Sequence, residues 1–594
     1  MGRFALGVVV ALFVVFLLSS LPVYFPPPAG ESAMRSFTSY DELVKFLSNL
    51  PRGWYVKSVI ALPKAGVDKT GASPAARYSG TNVQVAGVDE ADLVKTDGRY
   101  VYFASGSRVY LIEAYPVESA KVLSVLETEG GVVGLFKNGD RLVVISLTHV
   151  PWVLRDGGFM VPFLPEVEVR VYDVADIRSP REIRSVEVNG SYVSSRMVGG
   201  YVYFVVAQGI VYKDDKPLLP RVVVDGEVTE VPASKVYYSA VEDGRGYFYT
   251  LVIALDLADA TQGPSVVAML TGFSTSVYVS HGSIYLAVPK PDSRGVETVI
   301  HRVGFNGLEV KPAASGVVAG GVVNQFSMDE YRGFFRIATT INPRGGGDMS
   351  SSIYILDMNL NKVGQLDNLA PGERIYSVRF MQDKAFVVTF RQVDPLFVIE
   401  LKDPEQPRIL GELKIPGFST YLHPFGEDYL IGLGRETEVD ADTGAVVVEG
   451  LKLSLFNISD YTKPREVHKL VIKSPYVDSE ALRDHRAFLL DSDNRLLIIP
   501  VIMQAGAEAD SITTTEPLRG RFFQGVLVFR IDPEDGIEVV GNVTHLAGDE
   551  QTLGRSYVIK RSLYIDDILY TFSGRKMMMH SLATLDKIGE LTLS

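Results

Sequence analysis

The chain of 594 residues contains no cysteine. That removes disulfides, thiolate-ligated zinc, iron–sulfur clusters and any thiol nucleophile together. A chain this long buries enough core to fold without such staples, even outside the cytoplasm. It contains only 2 Trp beside 29 Tyr, 29 Phe and 54 Gly. Aromatic and β-branched residues suit pleated, half-buried surfaces and glycine suits turns, so this balance points to a β-rich fold. No basic run stands out past the N-terminus, and the net charge is -13. A field of that sign repels phosphate backbones, so no nucleic-acid partner is expected. Recognisable catalytic motifs are missing too. There is no Gly-x-Ser-x-Gly elbow, no phosphate loop and no His-Glu-x-x-His.

What the chain does have begins with an apolar run. Gly2 and Arg3 precede Phe4–Leu18, followed by Ser19, Ser20, Leu21–Phe25 and then Pro26, Pro27 and Pro28. One Arg before a long apolar stretch is the pattern of an export signal. The stretch Phe4–Phe25 is also about long enough to span a bilayer, and no small-x-small cleavage site directly follows it. Residues 1–25 are therefore a signal peptide or a membrane anchor, and either places the rest outside, at the cell surface or secreted. No second stretch is long and apolar enough to span a membrane. Residues 26–80 read as a spacer with one short amphipathic helix. Ser39-Tyr40-Asp41-Glu42 forms a capping box, Leu43, Phe46, Leu47 and Leu50 recur at helical spacing, and Pro51 ends the segment.

From residue 81 to 594 a four-part theme repeats: a variable strand, an aromatic-rich strand after a turn, a third strand often ending in Asp, and a fourth after a Pro- or charge-containing turn. The clearest copy runs from Tyr376 to Ile415, with Ala385-Phe386-Val387-Val388-Thr389-Phe390 as the aromatic strand. Other copies open with Tyr100-Val101-Tyr102-Phe103, Tyr201-Val202-Tyr203-Phe204 and Ile284-Tyr285-Leu286-Ala287. About eight or nine such units predict an all-β fold, a single large β-propeller of four-stranded blades. A sandwich does not repeat one four-strand theme this often. The stretches from Pro217 to Lys235 and from Met503 to Gly520 are expected to be loops on a ring face.

Several strings resemble a family of uncharacterised secreted proteins, found in archaea and some bacteria, that carry a C-terminal β-propeller distantly related to WD40 repeats. They are Thr81-Asn82-Val83-Gln84-Val85 through Gly87-Val88-Asp89-Glu90-Ala91-Asp92, Val393-Asp394-Pro395-Leu396, Gly411–Pro424 and Leu451–Phe456. The resemblance covers residue 36 to the end. It implies the fold and export, and no activity.

The polar residues that invite chemistry are Asp89, Glu90, Asp92 and Asp97, then His423, Glu480, Asp484 and His485. They precede aromatic strands, which would place them on the innermost strands around a central channel. Gathered there, Asp89, Glu90, Asp92, His423, Asp484 and His485 would hold a hard cation such as calcium or perform acid–base chemistry. The alternative is that they cap turns and form salt bridges between blades. Asp440-Ala441-Asp442-Thr443-Gly444 and Asp491-Ser492-Asp493-Asn494 lack the spacing and distal Glu of a calcium loop and read more simply as Asx turns. Asn189, Asn457 and Asn542 head glycosylation sequons. The function expected is a surface binding or scaffold module for a protein or glycan partner, tethered by its N-terminal segment. The competing expectation is an extracellular metal-dependent hydrolase or lyase with its site at the channel.

Overall fold

The computed structural model describes residues 33–49, 77–153, 160–241, 246–259, 261–293, 295–344, 346–391, 394–504, 522–546 and 555–593. Residues 1–32, with the apolar stretch, and residues 505–521, the greater part of the second expected insertion, lie outside them. Among the described residues no helix is long and apolar enough to cross a membrane.

The described chain contains nine sheets that each carry a four-strand antiparallel meander. Blade 1 spans residues 94–127, and blade 2 spans 131–189. Blades 3 to 9 begin at residues 191, 276, 328, 374, 418, 477 and 561. Blade 6 shows the pattern in its simplest form, with strands Arg374–Met381, Lys384–Phe390, Asp394–Glu400 and Arg408–Ile415 in spatial order. Burial explains the composition of each position. The second strands are covered on both faces by neighbouring blades, so they carry the large rings: Tyr102, Phe103, Phe204, Tyr285, Phe335 and Phe386 are each 2 % exposed or less. Fourth strands lie at the rim and alternate exposed with partly or fully buried residues.

Nine hydrophobic clusters fill the nine gaps between consecutive blades. The cluster between blades 9 and 1 joins Val101, Phe103 and Tyr110 to Leu563, Tyr570 and Phe572. The Phe103 and Phe572 rings lie 5.0 Å apart, and the Tyr570 hydroxyl donates to Ala114 O at 2.7 Å. The ring thus closes on itself by packing between two blades that are each built from contiguous chain, which removes exposed sheet edges from the core.

Two devices recur around the ring. The Asp or Asn that ends the third strand accepts the backbone N–H two residues on, as Asp173, Asp256, Asp357, Asn457 and Asp532 all do at 2.8–3.0 Å. This Asx turn starts the connection to the fourth strand. The fourth strand then carries a glycine against the corresponding turn of the next blade. A Cβ on Gly364 would sit 2.1 Å from Pro404 O, and one on Gly411 would sit 2.4 Å from Tyr461 O. Blades therefore touch backbone to backbone there, which only glycine permits.

Helix α1 (Tyr40–Ser48) forms as the capping pattern requires. Ser39 accepts from Glu42 N, while the Glu42 carboxylate reaches back to Thr38 N at 2.7 Å. Its apolar face, with Leu43 and Leu47, joins the cluster between blades 2 and 3. The expected loop from Pro217 to Lys235 is instead largely strand. Arg221–Val224 and Glu227–Glu230 extend the rim of blade 2, while Val236–Tyr238 extends the rim of blade 3 and pairs with Arg35–Ser36. Alternating apolar residues such as Val222 and Val231 bury against both blades, so the insertion and helix α1 together bridge two rims.

In a meander, alternate connections fall on the same side. The starts of the first strands and the connections from second to third strand share one face, here termed the front. Among the described residues the longest connections between strands of one blade are of this second-to-third type. They are the hairpins extended in Arg141–Val153 and Met160–Asp173, in Ser283–Asp292 and Gly295–Asn306, and in Tyr429–Val439 and Val446–Asn457, together with residues 210–241. First-to-second turns, at the back, are short, as at residues 97–99, 332–333 and 566–567.

Candidate ligand-binding site

The string from Thr81 to Asp92 does not belong to a blade. It is part of a segment, residues 77–92, that runs through the centre of the ring and meets first strands in turn. Tyr78 bridges Ile565 of blade 9, and Arg77 donates to the fully buried Asp491 carboxylate of blade 8 at 2.6 and 3.0 Å. Asn82 donates to His485 O and Phe488 O of blade 8 and to the Tyr421 hydroxyl of blade 7. Gln84 donates to Gln325 O and Met328 O at the start of blade 5. Gly87, at φ +78°, turns the chain past His281 of blade 4. Val88–Glu90 pairs with the first strand of blade 3, and Asp92 bridges Leu135 of blade 2. A nine-bladed ring has too many first strands for their side chains alone to fill its axis, and this segment supplies the filling.

Two further excursions reach the axis. The first strand of blade 8 is split into Val477–Asp478 and Leu489–Asp491, and the residues between form two short 3-10 turns, Glu480–Leu482 and His485–Ala487. A third turn, Gln325–Ser327, precedes the first strand of blade 5 and is capped by Asn324.

These elements fix the sequence candidates. Glu90, Asp92, Asp484 and His485 come together, all but buried, and arginines lie between the carboxylates. Glu90 pairs with Arg196 at 3.0 Å, Asp92 with Arg561 at 2.7 Å, and Asp484 with Arg561 at 2.5 Å and Arg486 at 2.8 Å. Burial alone would raise the Asp484 pKa, but Arg486 and Arg561 outweigh it and hold the carboxylate well below its ordinary range. Asp89 stands apart, paired with Lys95 at 2.7 Å. Asp97 caps a turn by accepting Tyr100 N at 2.8 Å, and Glu480 is exposed. The two histidines flank Tyr421. His423 Nδ1 lies 3.0 Å from its hydroxyl, and the His485 ring lies between Tyr421 and Phe326. Burial, followed by the nearby Arg379, pushes His423 down to about 3. Burial likewise holds His485 well below its usual value. Among the described residues no three His, Asp or Glu side chains are grouped to hold a metal ion. The axis is an ion-pair cluster of alternating sign, in which each carboxylate meets the guanidinium or ammonium that its burial demands.

The remaining candidates serve turns. Asp440 accepts Asp442 N, Thr443 N and the Thr443 hydroxyl, and Asp491 is the partner of Arg77. Among the sequons, Asn189 Nδ2 donates to Glu166 at 2.8 Å, Asn542 Nδ2 is buried, and Asn457 Oδ1 holds an Asx turn.

In front of this filled axis lies a cavity of about 710 Å3. Its wall is made by the starts of first strands from blades 3 to 7 and by the excursion of blade 8. It includes Tyr192, Ser276, Asn324, Gln325, Arg374 and Arg483. Gln84, bonded to Gln325 O, lies directly behind it. The cavity size is that of sites for small organic ligands. Its lining contains two arginines and, among the described residues, no Asp, Glu or His. In a chain of net charge -13 that is a local inversion of sign. Sequence reading missed Arg196, Gln325, Arg374, Arg486 and Arg561 because it followed acids and histidines. The available signal was arginine on first strands, where a solvated cation has no place.

Residues 78–585 match the family described as a beta propeller domain. The chain belongs to that family. It is 30% identical to an uncharacterised protein of Methanocaldococcus jannaschii, over 84% of this chain and 81% of the relative. A second uncharacterised protein, from Archaeoglobus fulgidus, is 28% identical over 96% of each chain. A crystal structure of a eukaryotic initiation factor aligns with 79% of this chain at 12% identity, with a TM-score of 0.34.

Proposed function

We propose that this propeller is a binding module that takes its ligand into the front cavity of the ring, and that it works outside the cytoplasm, tethered or released by its N-terminal apolar segment. The observation that carries this reading is the asymmetry of the ring. Among the described residues the long second-to-third connections rise on the face where the cavity opens, while the first-to-second turns at the back are short and the axis behind the cavity is filled by residues 77–92. Rigid scaffolds with variable loops at one end are how such folds present binding sites. The export pattern of residues 1–25 and the resemblance to secreted proteins support the location.

The hydrolase reading finds less support. Acid–base hydrolysis of a glycosidic bond uses two carboxyl groups beside the scissile bond, and the described lining offers none. The axial carboxylates lie behind the lining, neutralised by arginine.

The test is a melting-shift screen of the full chain against saccharides and short peptides, with two bulky variants. Thr275→Trp narrows the cavity mouth, whereas Lys402→Trp alters an exposed turn at the back. A ligand whose shift is lost in Thr275→Trp and kept in Lys402→Trp supports the reading. The reverse pattern would move the site to the back face.

A further inference from the structure

We infer that the front cavity recognises an acidic saccharide, holding a ring carboxylate between Gln325 and Arg374. This rests on the binding reading above and adds the ligand's chemistry to it.

The first observation is an unsatisfied donor. Gln325 is 5 % exposed and lines the cavity. Arg196 Nη2 donates to its Oε1 at 3.3 Å. Arginine only donates, so the atom facing Arg196 is the amide oxygen and the other is the NH2 group. That Nε2 is buried and has no hydrogen-bond partner. A buried donor left unpaired costs free energy, and native structures retain such groups where something else fills the need. An incoming acceptor satisfies it, and a carboxylate oxygen does so best.

The second observation is a positioned cation. Arg374, at the start of the blade 6 first strand, is exposed. Its guanidinium lies over the Tyr376 ring at 4.5 Å and donates to the Tyr376 hydroxyl. Among the described residues it has no carboxylate partner. Arg483, also in the lining, is engaged by Asp478, so Arg374 is the cation of the described lining left for a ligand. A guanidinium stacked on an aromatic ring keeps its fork open for bidentate recognition of a carboxylate.

The third observation concerns the rest of the ligand. Asn324, Asn342 and Ser276 supply uncharged amides and a hydroxyl to the lining. Neutral hydrogen-bonding groups around one anion subsite suit a polyhydroxylated saccharide that places one ring carboxylate in the subsite and leaves any others in solvent. A fully anionic ligand such as a polyphosphate would demand more than one free cation.

The experiment is isothermal titration of the full chain with trigalacturonate, maltotriose and triglycine, at 0.05 and 0.5 M salt. The expected result is binding of trigalacturonate that weakens severalfold at the higher salt, with maltotriose at least tenfold weaker and triglycine weaker still. Arg374→Gln and Gln325→Met should each weaken trigalacturonate tenfold or more. Gln325→Met removes the orphaned donor together with the Oε1 that accepts from Arg196, so the deciding readout is selectivity: trigalacturonate should weaken while maltotriose stays unchanged, a split that a merely structural role would not produce. Equal binding of maltotriose would overturn the carboxylate assignment and leave the cavity reading standing. Tighter binding of triglycine would overturn the saccharide assignment, and so would no binding of any of the three. Trigalacturonate binding that survives Thr275→Trp would instead sink the cavity reading itself.

Discussion

Arg561→Met is the perturbation that most directly probes the filled axis. Arg561 is 3 % exposed and bridges two carboxylates that are themselves 2 % and 5 % exposed, Asp92 on the axial segment and Asp484 on the blade 8 excursion. Methionine roughly conserves the volume and leaves two buried carboxylates to share Arg486, which lies 2.8 Å from Asp484 and 3.9 Å from Asp92. Breaking a buried pair from one side costs about 3–5 kcal/mol. The midpoint of urea unfolding, followed by circular dichroism, should fall by the corresponding amount at pH 7. The double variant Arg561→Met/Asp92→Asn removes one stranded charge and should recover at least about 2 kcal/mol, a coupling typical of residues in one network. The pH dependence has a definite sign. Asp484 is held below its ordinary value in the folded chain, so its stabilising pairing is present above about pH 4 and is lost as pH falls further. The deficit of Arg561→Met should therefore be widest above about pH 5 and shrink as the carboxylates protonate. A cost under about 1 kcal/mol at pH 7 would mean that water reaches the cluster and that residues 77–92 do not seal the axis, which would refute the reasoning.

Acid should also act through buried histidines. His423 and His545 are each pushed down to about 3, chiefly by burial. The unfolded chain takes their protons below about 6.5 and the folded chain does not, so stability is complete above that pH and declines towards pH 3, by about 1.4 kcal/mol per unit for each histidine. A urea midpoint that stays level from pH 7 to 4.5 would contradict this, and His545→Gln should flatten the slope. Between blades, Gly411→Ala places a methyl 2.4 Å from Tyr461 O and should cost about 2–3 kcal/mol. Gly106→Ala, at φ +63° with open space around it, should cost about 1 kcal/mol by the same measurement. Equal costs would show that blades 6 and 7 do not meet at that glycine.

Much of the fold was legible because a propeller repeats its constraints. The aromatic second strands, such as Tyr201–Phe204 and Ala385–Phe390, are covered on both faces in every blade, so they recur as a readable theme. The Asp that ends the third strand recurs because each copy makes the same Asx turn. The axial segment was harder to read. Thr81 to Asp92 is distinctive, yet each of its residues meets a different blade, so no periodicity reveals its course. Glu90 and Asp92 resembled metal ligands because their partners, Arg196, Arg486 and Arg561, lie more than a hundred or several hundred residues away in the sequence. The stretch from Pro217 to Lys235 misled in another way. Its Pro, Gly and charged residues signal a loop, but Val222, Val224 and Val231 find apolar cover on two rims, and tertiary packing overrides the local signal.

Deuterium exchange of the full chain with and without trigalacturonate tests the central claim most directly. The account predicts slowed exchange at residues 274–276, 322–325 and 374–376, around the front cavity, and no change at the back turns 332–333, 382–383 and 566–567. Protection of the back turns with the cavity segments unchanged would contradict it.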